Sequence, residues 1–174
     1  ENIGQFYRKD YFYKAIQEID VNYPVTWNSP GEIPAGQAEI IVKPAYKNTV
    51  NKFWDLFHSK LKIVKNIDNF DWTSKFKTGE LLFQEKLNFD IGDEYSWWGY
   101  RSENGMIYSV CSQHVKKYPD KSGRISHARL IKNKDVINIG NRIVEQLNYI
   151  GIADIQMIYD QKEGKYKVIE MNPR

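Results

Sequence analysis

The sequence predicts an α+β protein in which antiparallel sheet packs under a small number of amphipathic helices. Three observations lead to this prediction. The first half is rich in short apolar runs bounded by turn residues, which predict strands. The middle contains a long hairpin with the turn signal Glu103-Asn104-Gly105, and a second hairpin ends the chain after an amphipathic helix.

Helical spacing of apolar side chains predicts three helices in the first half, over 7–19, 49–57 and 68–77. Asn66 and Asp68 have the side chains that cap a helix N-terminus, so we place the third helix after them. The second helix carries four apolar residues on one face, which we interpret as a core stripe rather than a base-stacking surface: Val50, Phe53, Trp54 and Phe57.

Apolar runs predict strands at 39–44, 61–65 and 81–87 in the first half. In the second half we predict strands at 94–100 and 106–115, with a loop over 118–124. An amphipathic helix over 135–149 follows, with Gly151 as its C-cap. Its apolar stripe consists of Ile137, Ile143, Val144, Leu147 and Ile150.

The final hairpin over 151–174 has polar residues where a simple hairpin does not need them. Alternation along a strand puts Ile169 and Met171 on one face and Glu170 and Asn172 on the other. In the partner strand the same rule buries Ile155 and Met157 and turns Asp154 and Gln156 to the polar face. A loop of about five residues containing Gly164 places Gln156 opposite Glu170. We therefore expect three oxygen-bearing side chains to converge: Gln156, Glu170 and Asn172.

One carboxylate and two amides form a ligand set of hard oxygens, which suits Mg²⁺ and leaves coordination positions for water and phosphate. The same residues could also form only the solvated face of a hairpin, and spacing alone favours that reading. Pro173 and Arg174 follow at once, so a cation is placed near the expected phosphates. This favours a nucleotide site.

Composition excludes several classes of protein. The 25 basic and 22 acidic residues are interleaved, and the net charge of +3 is too small to predict nucleic-acid binding. The single cysteine, Cys111, excludes an intrachain disulfide framework and fits a reducing compartment; we expect it to be buried. No apolar run is long enough for a membrane span and no signal peptide is visible, so we expect a soluble cytoplasmic protein of unknown oligomeric state.

With these landmarks the sequence resembles the ATP-grasp superfamily. The resemblance is carried by Ile41-Val42-Lys43-Pro44, by Phe83-Gln84-Glu85-Lys86-Leu87 with Gly92-Asp93-Glu94, and by Gln156 fourteen positions before Glu170 in Glu170-Met171-Asn172-Pro173-Arg174. The last block is similar to that of carbamoyl-phosphate synthase large subunits. Lys116-Lys117-Tyr118-Pro119 with Gly123-Arg124 looks more like the carboxylate-amine ligase branch, which includes D-aspartate ligase.

The resemblance implies two α+β lobes, each with an antiparallel sheet packed against helices, that hold ATP between them. Residues 1–87 match the first lobe and its hinge strand, and 88–174 match the second lobe with the metal site. The chain lacks an initiator methionine and ends directly after its most informative motif, so we expect a fragment of a longer protein.

The resemblance also implies roles for individual residues. Lys9 and Lys43 match basic residues that reach the nucleotide phosphates. Backbone groups of Glu85, Lys86 and Leu87 match the linker that pairs with adenine, and Glu94 matches the acid that binds the ribose. Gln156, Glu170 and Asn172 match Mg²⁺ ligands, with Mn²⁺ as an alternative ion. Arg174, and with it Arg124, matches an arginine that stabilises the transferring phosphoryl group.

One feature departs from the pattern. The first lobe of this fold usually carries a glycine-rich loop over the phosphates, whereas residues 45–49 contain no glycine. Either the loop is reworked, with Lys60 or Lys62 in the phosphate role, or residues are absent from this chain.

The resulting hypothesis is an ATP-dependent carboxylate-amine ligase that forms an acyl-phosphate from a small carboxylate and then joins it to an amine. Such chemistry depends on positioning and electrostatics and needs no nucleophilic side chain. Two alternatives stay open: a carbamoyl-phosphate synthase-like phosphorylating enzyme, and a nucleotide-binding module without catalysis. We expect no catalytic role for His58, His114 or His127, and we expect Trp97-Trp98 to form core on one side and cleft wall on the other.

Overall fold

The computed structural model describes Phe6 and residues 8–65, 67, 71–118 and 123–174. Contacts divide this part of the chain into two compact units. We call Pro24–Lys86 with Arg8–Asp10 the N-terminal unit, and Leu87–Arg174 with Phe6 and Tyr11–Tyr23 the C-terminal unit. The division after Lys86 lies one residue from the sequence boundary. The segment from Tyr11 to Tyr23, which the sequence placed in the first lobe, packs in the C-terminal unit.

The N-terminal unit is built on a four-stranded antiparallel sheet in the order β1-β4-β2-β3. The strands are β1 (Thr26–Trp27), β2 (Ile40–Pro44), β3 (Lys62–Val64) and β4 (Leu81–Glu85). Two helices, α2 (Lys47–Phe57) and α3 (Trp72–Lys75), accompany them, with a 3₁₀ turn at Pro30–Glu32. One apolar cluster joins the sheet and the helices: Ile40, Val42, Phe53, Trp72, Phe76, Leu81 and Phe83.

The three strands predicted in this unit are confirmed, and so is α2. The predicted core stripe of α2 is partly wrong, because Phe53 is fully buried while Val50 and Trp54 are 38% and 48% exposed. Trp54 is one residue from Phe53, about 100° around the helix, so it turns away from the sheet. The third helix spans only four residues and is capped by the Asp71 carboxylate, which accepts from Ser74 N at 3.0 Å. The proposed caps Asn66 and Asp68 lie outside the described residues.

The C-terminal unit is built on a five-stranded antiparallel sheet in the order β7-β6-β5-β8-β9. The strands are β5 (Glu94–Arg101), β6 (Ile107–Tyr118), β7 (Arg124–Ile131), β8 (Gly151–Asp160) and β9 (Lys165–Pro173). Helix α4 spans Lys134–Gln146, a 3₁₀ turn spans Ile91–Asp93, and helix α1 spans Lys9–Gln17. Phe12, Tyr13 and Ile16 of α1 are buried, and the Tyr13 hydroxyl donates to the Ile169 carbonyl of β9 at 2.7 Å.

One face of this sheet is an apolar row under α4. Met171, Ile155, Trp97 and Cys111 lie side by side on four adjacent strands, and all are buried. The Trp97 ring packs so closely against Gly140 of α4 that a Cβ there would lie 2.2 Å from Trp97 Cγ. Trp97 Nε1 also donates to Asn141 Oδ1 at 3.0 Å. Burial raises the pKa of the Cys111 thiol to about 11, as expected for a structural cysteine.

Two details of this unit differ from the sequence prediction. Strand β7 was not predicted; it is an edge strand with mostly exposed residues, so its sequence has no buried apolar run. The predicted C-cap at Gly151 is wrong, because α4 ends earlier and Asn148 takes the left-handed conformation (φ 48°). Gly151 begins β8 instead, with φ 122°. Among the described residues, no helix is long and apolar enough to cross a membrane.

The turn between β8 and β9 is held by a buried ion pair. Lys167 Nζ lies 3.2 Å from Asp160 Oδ2 and 2.7 Å from Glu163 Oε1, and Asp160 and Lys167 are both buried. We expect Lys167→Met to lower the free energy of unfolding by about 3 kcal/mol, because it leaves the Asp160 carboxylate buried without this cation. Chemical denaturation measures this. The neighbouring exposed residue provides the control: Lys165→Met should change stability by less than about 0.5 kcal/mol. Equal effects would contradict the assignment.

Candidate active site

The face of the C-terminal sheet opposite α4 carries a row of polar side chains. Glu170, Gln156, Ser96 and Ser112 are directly paired across β9, β8, β5 and β6. The predicted pairing of Gln156 with Glu170 is therefore present. A register shift between Gln156 and Met157 accompanies it.

The next row brings Asp154 opposite Asn172, and here the polar side chains meet. Asp154 Oδ2 accepts from Gln156 Nε2 at 3.3 Å and from Asn172 Nδ2 at 3.5 Å. Arg174 Nη2 lies 3.6 Å from the same oxygen. Asp154 is thus the common partner of two predicted metal ligands and of the arginine that follows them.

Asp154 is buried, with 1% of its surface exposed. Burial raises the pKa of its carboxyl, and the charge of Glu170 acts in the same direction. The hydrogen bond from Gln156, the polar Ser96 side chain and the charge of Arg174 lower this pKa and so oppose the effect of burial. Within hydrogen-bond distance, no described residue donates to Asp154 Oδ1. The Ser96 hydroxyl beside it is hydrogen-bonded to His114 Nε2 at 3.0 Å.

The chemistry of this set fits a hard divalent cation. The amide nitrogens of Gln156 and Asn172 face the Asp154 carboxylate, so their carbonyl oxygens are available to another partner. Glu170, in register with Gln156, adds a carboxylate. Two amide oxygens and a carboxylate are ligands that Mg²⁺ accepts while it keeps waters or phosphate oxygens.

A cavity of about 460 Å³ adjoins this set. Its lining includes Asp154, Gln156 and Arg174 together with the apolar side chains of Trp98 and Leu130. The expectation for the tryptophan pair is confirmed on the core side, because Trp97 is fully buried, and Trp98 on the opposite face lines this cavity.

Glu94, the predicted ribose ligand, lies at the end of a second buried network. Its Oε2 contacts Lys117 Nζ and lies 3.6 Å from His114 Nδ1. Burial alone would raise the pKa of Glu94, but the interactions with His114 and Lys117 outweigh it, so this pKa lies below its usual value. His114 is buried and connects Glu94 through Ser96 toward Asp154.

This depressed pKa predicts a pH-dependent effect of Lys117→Met. An acid with a lowered pKa in the folded state stabilises the fold above its unfolded pKa, and this contribution is lost as the pH falls through the folded value. We expect Lys117→Met to lower the free energy of unfolding at pH 7 by about 1–3 kcal/mol. The difference from the wild type should begin to shrink as the pH falls below the ordinary pKa of glutamate, about 4.3, and should be lost once Glu94 is protonated in the folded protein as well.

Denaturant unfolding between pH 3 and pH 7 measures this difference. Lys116→Met, at an exposed neighbouring position, is the control and should have little effect at any pH. A loss of stability in Lys117→Met that is independent of pH would contradict the pairing.

In the N-terminal unit, two basic residues predicted to reach phosphates lie at neighbouring points of the backbone. Lys9 N donates to the Ala45 carbonyl at 2.9 Å, and Lys43 is two residues earlier on β2, opposite Leu82. Only Ala45 and Tyr46 separate β2 from α2, so the described chain has a helix where a glycine-rich loop was expected. Of the proposed substitutes, Lys62 lies over the Phe57 ring at 5.9 Å.

The predicted adenine-binding segment ends β4. Glu85 pairs with Val25 through both its backbone N and its carboxylate, at 3.0 Å each. Lys86 forms an ion pair with Glu39 at 2.5 Å, and Leu87 is buried. The roles of these residues in binding a nucleotide stay predictions.

The two predicted arginines occupy different parts of the C-terminal sheet. Arg174 lies beside Asp154, at 3.6 Å from its Oδ2. Arg124 is exposed at the start of β7, opposite Tyr118. Six residues, about 20 Å of strand, separate it from Leu130, which is in the row of Gln156. The structure therefore does not bring Arg124 into this set.

Sequence reasoning missed Ser96 and His114 as members of the polar network. Alternation did turn Asp154 to the polar face with Gln156, but no role was predicted for it. The contact between Ser96 and His114 joins two strands across the first hairpin and needs the register of β5 and β6.

The two units and their antiparallel sheets define the class of protein. No family model matches the chain. Solved structures with the same architecture include N5-carboxyaminoimidazole ribonucleotide synthetase from Thermotoga maritima (TM-score 0.68, 18% identity, covering 98% of this chain and 42% of that one). The biotin carboxylase–β,γ-ATP complex from Campylobacter jejuni gives a TM-score of 0.69 at 14% identity, covering 98% of this chain and 41% of that one. The chain has the ATP-grasp fold.

One curated sequence relative is similar over most of this chain. D-aspartate ligase of Enterococcus faecium (strain Aus0004) is 23% identical over 184 residues, which cover 94% of this chain and 43% of the relative. D-alanyl-alanine synthetase A from Vibrio cholerae has a TM-score of 0.65 at 16% identity, covering 97% of this chain and 55% of that one. This chain thus spans less than half the length of the D-aspartate ligase it matches.

Proposed function

We propose that this chain supplies the nucleotide- and metal-binding part of an ATP-dependent carboxylate-amine ligase. The observation that carries the proposal is the meeting of Gln156, Asn172 and Arg174 on Asp154, beside Glu170, in the C-terminal sheet. The similarity to D-aspartate ligase supports a ligase over other ATP-dependent enzymes.

Gln156, Glu170 and Asn172 would hold Mg²⁺, or Mn²⁺ in its place. When bound, the ion would neutralise negative charge on the phosphates during transfer. Arg174 adds a fixed positive charge beside these ligands, where charge-assisted hydrogen bonds to phosphate oxygens are strong. Arg124 is too far along β7 for the same role unless β7 moves.

The reaction has two steps. A carboxylate oxygen of the first substrate attacks the γ-phosphorus of ATP, and the bond from this phosphorus to the β,γ-bridging oxygen breaks. ADP is the leaving group, and the product is an acyl-phosphate. The amine nitrogen of the second substrate then attacks the acyl carbon, phosphate leaves, and the nitrogen gives up its extra protons. Both steps depend on orientation and charge, and none needs a nucleophilic side chain.

The nucleotide contacts follow the resemblance. Lys9 and Lys43 would contact phosphates, and the backbone of residues 85–87 would pair with adenine. Glu94 would accept from the ribose hydroxyls. Lys117 and His114 both contact its Oε2, so we assign this role to Oε1.

Hydroxylamine trapping tests the proposal. We expect ADP release and a hydroxamate to depend together on ATP, Mg²⁺ and one member of a panel of small carboxylates that includes D-aspartate. Because hydroxylamine attacks an acyl-phosphate directly, the amine need not be known. ADP release stimulated by bicarbonate without any hydroxamate would favour the carbamoyl-phosphate synthase-like alternative. Nucleotide binding without turnover would favour the inactive module.

A further inference from the structure

A buried carboxylate that the proposed chemistry does not use lies behind the metal ligands. Asp154 is 1% exposed, and although it lines the cavity, it is not one of the proposed metal ligands. Its Oδ2 nevertheless accepts from both amide ligands and lies 3.6 Å from Arg174. A buried acid is costly to maintain, so its partners require an explanation.

The explanation lies in the two-sided chemistry of an amide. Gln156 and Asn172 can each present either an oxygen or an NH₂ group to a cation, and only the oxygen binds it. An ionised carboxylate only accepts hydrogen bonds, so it attracts the NH₂ group and repels the carbonyl oxygen. With Asp154 behind them, both amides turn their nitrogens inward.

We infer that Asp154 is the positioning residue of the metal site: it holds Gln156 and Asn172 with their oxygens toward the cation and keeps Arg174 beside them. This inference rests on the proposed metal site. Glu170 needs no such partner, because its two carboxylate oxygens are equivalent. The Ser96 hydroxyl, hydrogen-bonded to His114 Nε2, is a further polar neighbour of Asp154.

Variants of Asp154 that all have the same charge distinguish the orientation of the two amides from the electrostatic effect of the carboxylate. Asp154→Asn, Asp154→Leu and Asp154→Ala all remove one negative charge, but only asparagine keeps an acceptor for the amide nitrogens. The measurement is the affinity for Mn²⁺ in the presence of ADP, followed by electron paramagnetic resonance of the free ion. Glu145→Gln, exposed on α4, controls for the loss of one remote charge.

We expect Asp154→Leu and Asp154→Ala to bind Mn²⁺ at least about fivefold more weakly than Asp154→Asn, which corresponds to one lost hydrogen-bond preference. Leucine and alanine differ in volume, so agreement between them excludes a packing defect. Equal affinities in all three Asp154 variants would show a purely electrostatic effect and overturn the inference.

A second readout does not involve the metal. In ¹⁵N-labelled protein, we expect the side-chain NH₂ signals of Gln156 and Asn172 to exchange slowly with water and to lose this protection in Asp154→Leu. Unprotected signals in the wild type would overturn the inference. If the amide signals of the wild type are protected but the wild type does not bind Mn²⁺, the proposed function is overturned instead.

Discussion

Replacing Glu170 by glutamine should lower the affinity for Mn²⁺ in the presence of ADP by about 100-fold, the upper end of the losses caused by residues that only support a metal ligand. Glu170 is the one carboxylate among the three proposed ligands, and it lies in register with Gln156 on the polar face of the sheet. The substitution keeps the size of the side chain and removes the charge that attracts the ion. ATP turnover should fall with the affinity.

Glu145→Gln is the matched control for this experiment. It removes the same formal charge from the exposed surface of α4, on the other side of the sheet from the polar row. An affinity within about twofold of the wild type is expected, because a distant surface charge is screened. Similar losses in both variants, or none in Glu170→Gln, would contradict the assignment of Glu170.

Trp97→Ala is expected to lower the free energy of unfolding by about 3–5 kcal/mol. The Trp97 ring is fully buried in the apolar row under α4, against Gly140, and its Nε1 donates to Asn141. Truncation leaves a cavity and removes one of the two hydrogen bonds that Asn141 Oδ1 accepts, the other coming from the Ser109 hydroxyl. Urea denaturation followed by far-ultraviolet circular dichroism measures the effect.

The adjacent tryptophan is the control for this prediction. Trp98 is 36% exposed on the opposite face, so Trp98→Ala should cost no more than about 1–2 kcal/mol, including its hydrogen bond to Ser112 at 3.1 Å. Gly140→Ala tests the contact from the side of the helix. Its Cβ would overlap the Trp97 ring, so we expect a loss of about 1–3 kcal/mol although alanine favours helices. A neutral Gly140→Ala would contradict the packing.

Sequence reasoning succeeded where one local rule decides the structure. Period-two alternation was sufficient on β8, because burial of Ile155 and Met157 fixes the direction of Gln156 between them. On β9 it was partly wrong: the register shift next to Glu170 buries Val168, and Ile169, predicted on the apolar face, is only half-buried. The turn at Gly105, with φ 84°, likewise defined the first hairpin.

Sequence reasoning failed where tertiary contacts decide. Edge strand β7 pairs with β6 through irregular register and buries little, so the 124–131 segment has no strand pattern of its own. On α4, Gly140 faces Trp97 and Val136 is buried, whereas Ile150, predicted in the apolar stripe, is 43% exposed beyond the helix. The place of Gly140 on the buried face of α4 could not be predicted, because it depends on the Trp97 ring that packs against it.

The same limit applies to the candidate site. The three oxygen ligands could be predicted from spacing, but the role of Asp154 depends on two hydrogen bonds from different strands. The ion pair of Glu94 with Lys117 joins the start of β5 to the end of β6. It depends on the register of these two strands, which the sequence alone does not specify.

A crystal structure with Mn²⁺ and ADP, in which the manganese is located by its anomalous scattering, tests the central claim most directly. We predict a manganese peak in direct contact with oxygens of Gln156, Glu170 and Asn172, near the distance of about 2.0–2.1 Å that Mg²⁺ takes, with the amide nitrogens of Gln156 and Asn172 facing Asp154. A nucleotide-bound manganese that contacts none of these three side chains would contradict the account.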